Sequence, residues 1–313
     1  MTTGPGFQIQ PLAQAARQGL VRGGRTYLWL VKILLPISFL TALLDWSGWL
    51  GRVDFILEPV MGWLSLPPEA ALPLLIGILS GIYGGLAAMA ALPFSQGQLT
   101  LMAIFLLIAH ALPQEGIIQA KSGLNLFFSI LIRLAAAVGT VLVCAFFVDT
   151  TGPALGLDQA AAPGTALPLT SMLYAWSLAT AKLLAKLLAI ILGILTLLEI
   201  LKSLGWVDRF ALTLAPLLRG LGLSRRVGFL WSVGVVFGLF YGSAVIVEEA
   251  REGNLSPKEL EQLQVSLGIN HAMFEDPLLF VSLGVGLFWL WVPRLAASLV
   301  AVRLYTLART LRR

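Results

Sequence analysis

Along most of this chain apolar residues follow one another without the polar face that a soluble helix shows every turn. Long apolar runs occupy 27–45, 70–92, 124–148, 182–204, 225–247 and 277–305. Each approaches or exceeds the roughly 20 residues that a helix needs to cross a bilayer. Their length excludes a β-barrel, whose signal is alternating segments of about 10 residues. A shorter apolar piece, 99–113 (LTLMAIFLLIAHALP), fits a re-entrant segment or a hairpin. Pro93, Pro113, Gly116, Gly123, Pro277 and Gly284 are suitable helix breakers around it and its later counterpart. The pattern predicts an all-α polytopic membrane protein.

The polar punctuation supplies an orientation. Arg17, Arg22, Arg25 and Lys32 precede or open the first run, and Arg303, Arg309, Arg312 and Arg313 close the chain. The positive-inside rule places both termini in the cytoplasm, in keeping with a bacterial cytoplasmic (inner) membrane. Arg209, Arg219, Arg225 and Arg226 put 205–226 on the same side, whereas 149–171 has two Asp, many Pro and Gly, and no Lys or Arg. That segment reads as an external linker. The expected organisation is a basic cytoplasmic arm (1–26), a first repeat (27–148), the linker (149–171), a second repeat (172–308) and a short tail (309–313). Each half would cross three times, in opposite directions.

Internal similarity supports that division. Residues 32–54 align with 186–208 at an offset of 154, and 59–87 align at an offset of 157. From residue 110 onward the offset is 161: "HALPQEG" lies on "HAMFEDP", and "RLAA" at 133–136 lies on "RLAA" at 294–297. The chain has only two histidines, His110 and His271, and they are equivalent. The expectation is two inverted-topology repeats, each of about three spanning helices plus re-entrant or broken helices. Such repeats are typical of secondary transporters, with the substrate near the midplane.

Composition agrees. The chain is 58% hydrophobic and 12% charged, with mean hydropathy +0.88, against about 25% charged in soluble domains. The lone Cys144 permits neither a disulfide framework nor a thiolate cluster. The net charge of +5 follows the span ends and does not indicate nucleic acid. No phosphate-binding loop, zinc-protease helix or serine-hydrolase elbow occurs. Neither an enzyme nor a resident cofactor is expected, and the partners are the lipid bilayer and a small-molecule, ion or lipid substrate, with a homo-oligomer left open.

The candidate chemistry lies in a few polar residues at depth, where ionisable groups are functional by default. His110 precedes Glu115 by five residues, as His271 precedes Asp276, with Glu275 between. Five residues is off-register for one helix face, so only a chain break or a turn brings each pair together. The pairs could relay protons or, in the alternative reading, His110, Glu115, His271 and Asp276 could hold a divalent metal with N and O ligands. The bland reading is a helix cap at Asp276 with Pro277 at the first helical position, and a cap by Glu115. Arg133 and Arg294 each follow the acid by 18 residues. They fit either an anionic substrate group or a salt bridge bracing the loop.

Two glycine ladders, Gly77/Gly81/Gly85 and Gly234/Gly238/Gly242, place one glycine per turn for close helix approach; the alternative is an unwound stretch lining the path, suggested by the adjacent Gly84 and Gly85. Glu248 is the acid nearest the membrane in a polar stretch, 248–264, read as facing outside or a wet cavity; Ser256 and Glu259 in it form a capping box. Lys182 and Lys186 read as snorkelling at the outer interface.

The stretches "GILSGIYGGLAAMAALP", "GVVFGLFYGSAVIVEEAREGNLS" and "NHAMFEDPLLF" resemble the Gate, or nucleoside-recognition, family. Its relatives include spore-maturation membrane proteins and the membrane part of the ferrous-iron transporter B. The resemblance implies a permease-like protein with paired gates. The gates of the iron transporter carry cysteine at the path and are joined to a GTPase, features this sequence does not show. The leading expectation is a transporter or flippase-like permease, not ATP-driven and open to proton coupling, for a small substrate with an anionic group such as a nucleoside, nucleotide or lipid headgroup. A divalent-metal (ferrous-iron-like) permease and a non-transporting scaffold are the alternatives.

Overall fold

The computed structural model describes residues 12–49, 54–155, 168–205, 218, 220–228, 230–236, 238–239, 246–247 and 255–311. Its elements are helices joined by breaks, with one short β pairing. They run α1 (Leu12–Trp46), α2 (Asp54–Trp63), α3 (Ala71–Ser80), α4 (Ile82–Ala91), β1 (Phe94–Ser95), α5 (Gln96–Ala109), α6 (Leu112–Lys121) and α7 (Leu126–Cys144). After these come β2 (Ala154–Leu155), α8 (Leu169–Ser203), α9 (Pro257–Asn270), α10 (Glu275–Val281) and α11 (Leu287–Leu311). Among the described residues five stretches are long and apolar enough to cross a membrane: α1, α5 with α6, α7, α8 and α11. The protein is an all-α membrane protein.

α1 and α8 pack along their length and run antiparallel. Gly19 faces Thr196, Gly23 faces Leu192, and the Trp176 indole donates to Ser38 Oγ at 2.9 Å. Partner numbers fall as α1 numbers rise. A Cβ on Gly19 would collide with the Thr196 backbone, so glycine there sets the helix separation. At one end Arg22 pairs with Glu199 at 2.8 Å. α1 is continuous from Leu12, so the expected basic arm and first span form one helix across residue 26.

Several expected boundaries shift, each for a local reason. The run 70–92 is broken at Gly81, whose φ of +106° is open to glycine but strained for other residues. The 277–305 run is likewise divided, into α10 and α11. The ladder Gly77/Gly81/Gly85 is therefore not one helix face. Gly77 and Gly85 still share a task, since a Cβ on either would strike Leu106. The linker 149–171 opens with β2, which pairs antiparallel with β1, Phe94 opposite Leu155 and Ser95 opposite Ala154.

The centre is built from α5 and α9, 14 residues each and so about 21 Å long. α5 is apolar on every side and buried from Leu99 to Ala109, as expected of a helix enclosed by others. Both helices open on a capping box, Ser95 with Gln98 and Ser256 with Glu259, so that expectation holds. Both end in a left-handed alanine, Ala111 and Ala272, each with φ +46°. These alanines donate to Gly77 O (2.9 Å) and Gly234 O (3.2 Å). Gly123 and Gly284, also at positive φ, precede α7 and α11. Thus local geometry recurs at the offset of 161 read from the sequence.

α5 and α9 approach one another from opposite ends. Phe128 at the start of α7 stacks on Tyr305 near the end of α11, with centroids 5.8 Å apart. α5 begins at the β1–β2 pairing, beside the end of α7. α9 begins where Gln262 donates to Thr306 (2.7 Å) and Glu261 pairs with Arg309, at the end of α11. The described part of 248–264 therefore lies at the end of α11 that leads to the C-terminus, where the charge pattern suggested the outside or a wet cavity. Residues 248–254 are outside the described residues, Glu248 among them, as are Gly242 and much of the 225–247 run.

Replacing Gly19 by alanine should lower the thermal stability of detergent-purified protein by about 1–3 kcal/mol through overpacking. Alanine at Gly139, with nothing within 4 Å of the added Cβ, should leave it unchanged. Thermal-shift measurement of the two variants checks this, and equal melting would refute the packing argument.

Candidate functional site

A helix ends with carbonyls that lack intrahelical partners, and α5 and α9 end inside the protein. On α5, the His110 ring nitrogen Nδ1 meets Leu106 O at 2.8 Å. Arg133, from α7, donates through Nε to Ile108 O and through Nη2 to His110 O, both at 2.9 Å. On α9 the pattern repeats: His271 Nδ1 meets Leu267 O at 2.9 Å, and Arg294 donates to Ile269 O (3.0 Å) and His271 O (2.8 Å). Both arginines are buried, at 1% and 0% exposure. Each guanidinium fork thus caps the end of a neighbouring broken helix, a task suited to its planar set of donors.

These caps fix the imidazoles. A carbonyl only accepts, so each Nδ1 carries its hydrogen and each Nε2 turns away from its own helix. The two Nε2 atoms face one another at 3.3 Å, with ring centroids 5.0 Å apart. In neutral rings both would present a lone pair to the same point, an arrangement that calls for a proton or a cation between them. Glu115 Oε1 lies 3.2 Å from His271 Nε2 and 3.5 Å from His110 Nε2. Asp276 Oδ2 lies 3.7 Å from His110 Nε2. One ligand atom each from His110, His271 and Asp276 falls within 4.8 Å of the others. The break at Ala111 and Ala272 turns a five-residue spacing into contact, as the off-register spacing required.

The equivalent residues are not used equally. Glu115 Oε2 pairs with Arg133 Nη1 at 2.6 Å. Asp276 is one methylene shorter, and Arg294 Nη1 has no hydrogen-bond partner among the described residues. Asp276 does not cap a helix either: α10 begins at Glu275, with Phe274 at the cap position and no side-chain cap bond. Glu115 sits in the first turn of α6, whose cap residue is Ala111, again without a side-chain cap. Glu275 stands apart from the cluster and accepts from the Tyr83 hydroxyl at 3.1 Å.

The glycines support the cluster indirectly. Gly77 and Gly85 seat Leu106, Gly234 seats Leu267, and Gly81 and Gly238 abut Ala111 and Ala272. Each contact fixes a residue next to a histidine or bonded to one. Lys182 and Lys186 line a cleft of about 1010 Å³ with Gln96, Tyr174 and Ser282; no residue of the cluster lines it.

Sequence reasoning missed a set of buried polar side chains beside the cluster. Gln119 donates to Gln264 O at 2.6 Å and accepts from Ser129. Ser266 bonds Ser298 and the Trp231 indole, each at 2.9 Å. Asn270 is fully buried, and its amide finds no partner among the described residues. The available signal was the spacing of Gln262, Ser266 and Asn270 by four, against Leu101, Phe105 and Ala109 at the aligned positions.

Comparison with known proteins likewise finds a membrane protein. The chain is 28% identical over 287 residues to the uncharacterized membrane protein YvoD of Bacillus subtilis (strain 168), covering 90% of this chain and 91% of that protein. No solved structure matches it. Residues 27–120, from α1 through the His110–Glu115 break, match the Gate family, described as nucleoside recognition. Over those residues the chain is similar to the Gate domain.

Proposed function

We propose that the protein is a membrane permease of two inverted-topology repeats. In this reading the cluster of His110, His271, Glu115 and Asp276 is a station for a divalent transition-metal cation in transit. The observation that carries the proposal is the pair of Nε2 atoms 3.3 Å apart with both Nδ1 atoms committed to carbonyls. Two nitrogens, each about 2.0–2.1 Å from one tetrahedral ion, stand about 3.3 Å apart. The Asp276 oxygen, at 3.7 Å from His110 Nε2, extends the set to N2O, and Glu115 Oε1 borders it at 3.2 and 3.5 Å from the two nitrogens. Imidazole with carboxylate suits zinc, iron or manganese, and the carbonyl behind each Nδ1 is the outer partner that holds a ligating histidine in place.

Electrostatics supports a cation over the anionic cargo expected from the arginines. The C-terminal ends of α5 and α9 both point at the cluster, and each carries partial negative charge. The guanidinium groups are largely occupied by carbonyls and, for Arg133, by Glu115. The contact between the imidazoles also leaves no room for a nucleobase there. Antiparallel α1 and α8, and the opposed entry of α5 and α9, support the inverted topology. Half-helices whose ends converge at mid-depth are the setting in which transporters bind ions.

Metal titration and uptake into proteoliposomes test this. His110→Asn and His271→Asn should each weaken zinc or manganese binding by at least about tenfold to a hundredfold, the loss seen when only an outer partner is removed. Uptake should fall in parallel. Unchanged binding in a folded variant would overturn the metal reading. An anionic cargo would instead survive loss of the histidines.

Arg133→Lys separates a brace from a binding group. Lysine keeps the charge but cannot reach Ile108 O, His110 O and Glu115 together. Thermal stability should drop by about 2 kcal/mol or more, while metal affinity in the folded fraction changes less than in the histidine variants. A pure scaffold predicts destabilisation in every variant and no flux in any.

A further inference from the structure

The two halves of the cluster's surroundings are equivalent in backbone but opposite in polarity. On the face of the C-terminus, between the histidines and the end of α11, the core contains Gln119, Ser129, Gln264, Ser266, Asn270 and Ser298, all at 0–1% exposure. The 161-residue equivalents of these six, which lie on the opposite face, are Phe280, Leu290, Ala103, Phe105, Ala109 and Ala137. All six are buried and apolar. Toward that face the hydroxyls of Thr100 and Ser282 turn back to their own helix at Gln96 O and Leu279 O. Polar groups outside these, Ser95 bonded to Thr150 O and Gln96 in the cleft with Lys182, stand at the start of α5.

The polar residues form a column along α9 and α11. Gln262 bonds Thr306, Ser266 bonds Ser298, and Asn270 comes next to His271, at steps of four on one face of α9. The column begins at the Tyr305–Glu261–Arg309 group. Its deep end is an amide with neither atom paired among the described residues, at 0% exposure. Burying an amide unpaired costs on the order of 1–3 kcal/mol, a cost without purpose in a helix whose counterpart uses alanine. An amide carbonyl beside the histidines suits a partly hydrated cation.

We propose that the cation reaches and leaves the cluster from the face of the C-terminus, along the α9–α11 column with Asn270 as its innermost relay. The equivalent α5–α7 stretch on the other face is the apolar seal. This rests on reading the cluster as a cation station. Backbone pseudo-symmetry supplies two routes of the same shape, and side-chain chemistry makes one of them passable to water. Gln119 and Gln264 widen the polar side by linking α6 to α9.

Cysteine accessibility tests the inference in full-length protein carrying Cys144→Ala, reconstituted so that each face can be addressed separately. The probe is a membrane-impermeant trimethylammonium methanethiosulfonate. Ser266→Cys and Ser298→Cys should be modified from the C-terminal face on the order of ten times faster than Ala109→Cys and Ala137→Cys from either face, since apolar surroundings disfavour the reactive thiolate. The serine replacements are nearly isosteric and the alanine ones add one sulfur atom, so folding of each variant is checked by its thermal melt, and two positions on each side guard against one misfolded variant. Equal rates in the two sets, or faster modification from the opposite face, would overturn the proposal. The outcome does not require bound metal. Zinc or manganese added in a second arm should slow modification of Asn270→Cys. Failure of that arm alone would remove the cation as occupant of the column and with it this proposal's cargo, whereas titration at the histidines tests the cluster itself.

Discussion

The structure depends on two guanidinium groups that end two helices in the wrong place. α5 and α9 stop in the protein interior, where the last carbonyls of a helix have neither a following turn nor water. Arg133 and Arg294 supply two donors each to those carbonyls, and the histidines supply one more. Without them the break at Ala111 or Ala272 would leave several polar groups buried and unpaired, at a cost that a marginally stable fold does not tolerate. The arginines therefore come before the site in the order of causes. They permit the break, the break aims the imidazoles, and the imidazoles make the cluster.

A shared backbone does not give shared chemistry. Glu115 closes an ion pair with Arg133, while Asp276, shorter by one methylene, leaves Arg294 Nη1 without that contact. Glu115 is thereby held between a guanidinium and two imidazoles, whereas Asp276 comes nearest to His110 and lies within 4.8 Å of both imidazoles. One carboxylate is part of the brace, and the other lies against the imidazoles without a guanidinium pair among the described residues. Such inequality between equivalent positions is what a two-sided device needs, because identical halves would bias neither side.

The pairing of the two histidines was legible because duplication makes equivalence visible, and because a five-residue spacing meets only across a break. The arginines were also legible as deep cations, but their work was not. Sequence gives a charge and a depth; it does not show that the nearest acceptors are carbonyls of another helix. Asp276 followed by Pro277 has the chemistry of a cap, yet the left-handed Ala272 starts the turn earlier and moves the cap position to Phe274. Gly81 looked like part of a packing ladder because glycine serves both close approach and positive φ, and only the backbone distinguishes them. The direction of α9 escaped the charge rule for a related reason. That rule weighs loops between full spans, and α9 is a half-helix that ends inside.

Two helix C-termini aimed at one point are electrostatically unfavourable, since each brings roughly half a negative charge into a low-dielectric interior. The arginines offset this from behind, on the carbonyls, and leave the space in front to the imidazoles. Lone pairs, partial charges and carboxylates of the same sign then converge on a volume enclosed by apolar side chains of α5 on one face and by the amides and hydroxyls of α9, α6 and α7 on the other. A positive ion is the simplest species that lowers the energy of that convergence. In the proposed reading, the ion's stabilisation and its direction of access follow from the same substitution of polar for apolar residues between α5 and α9.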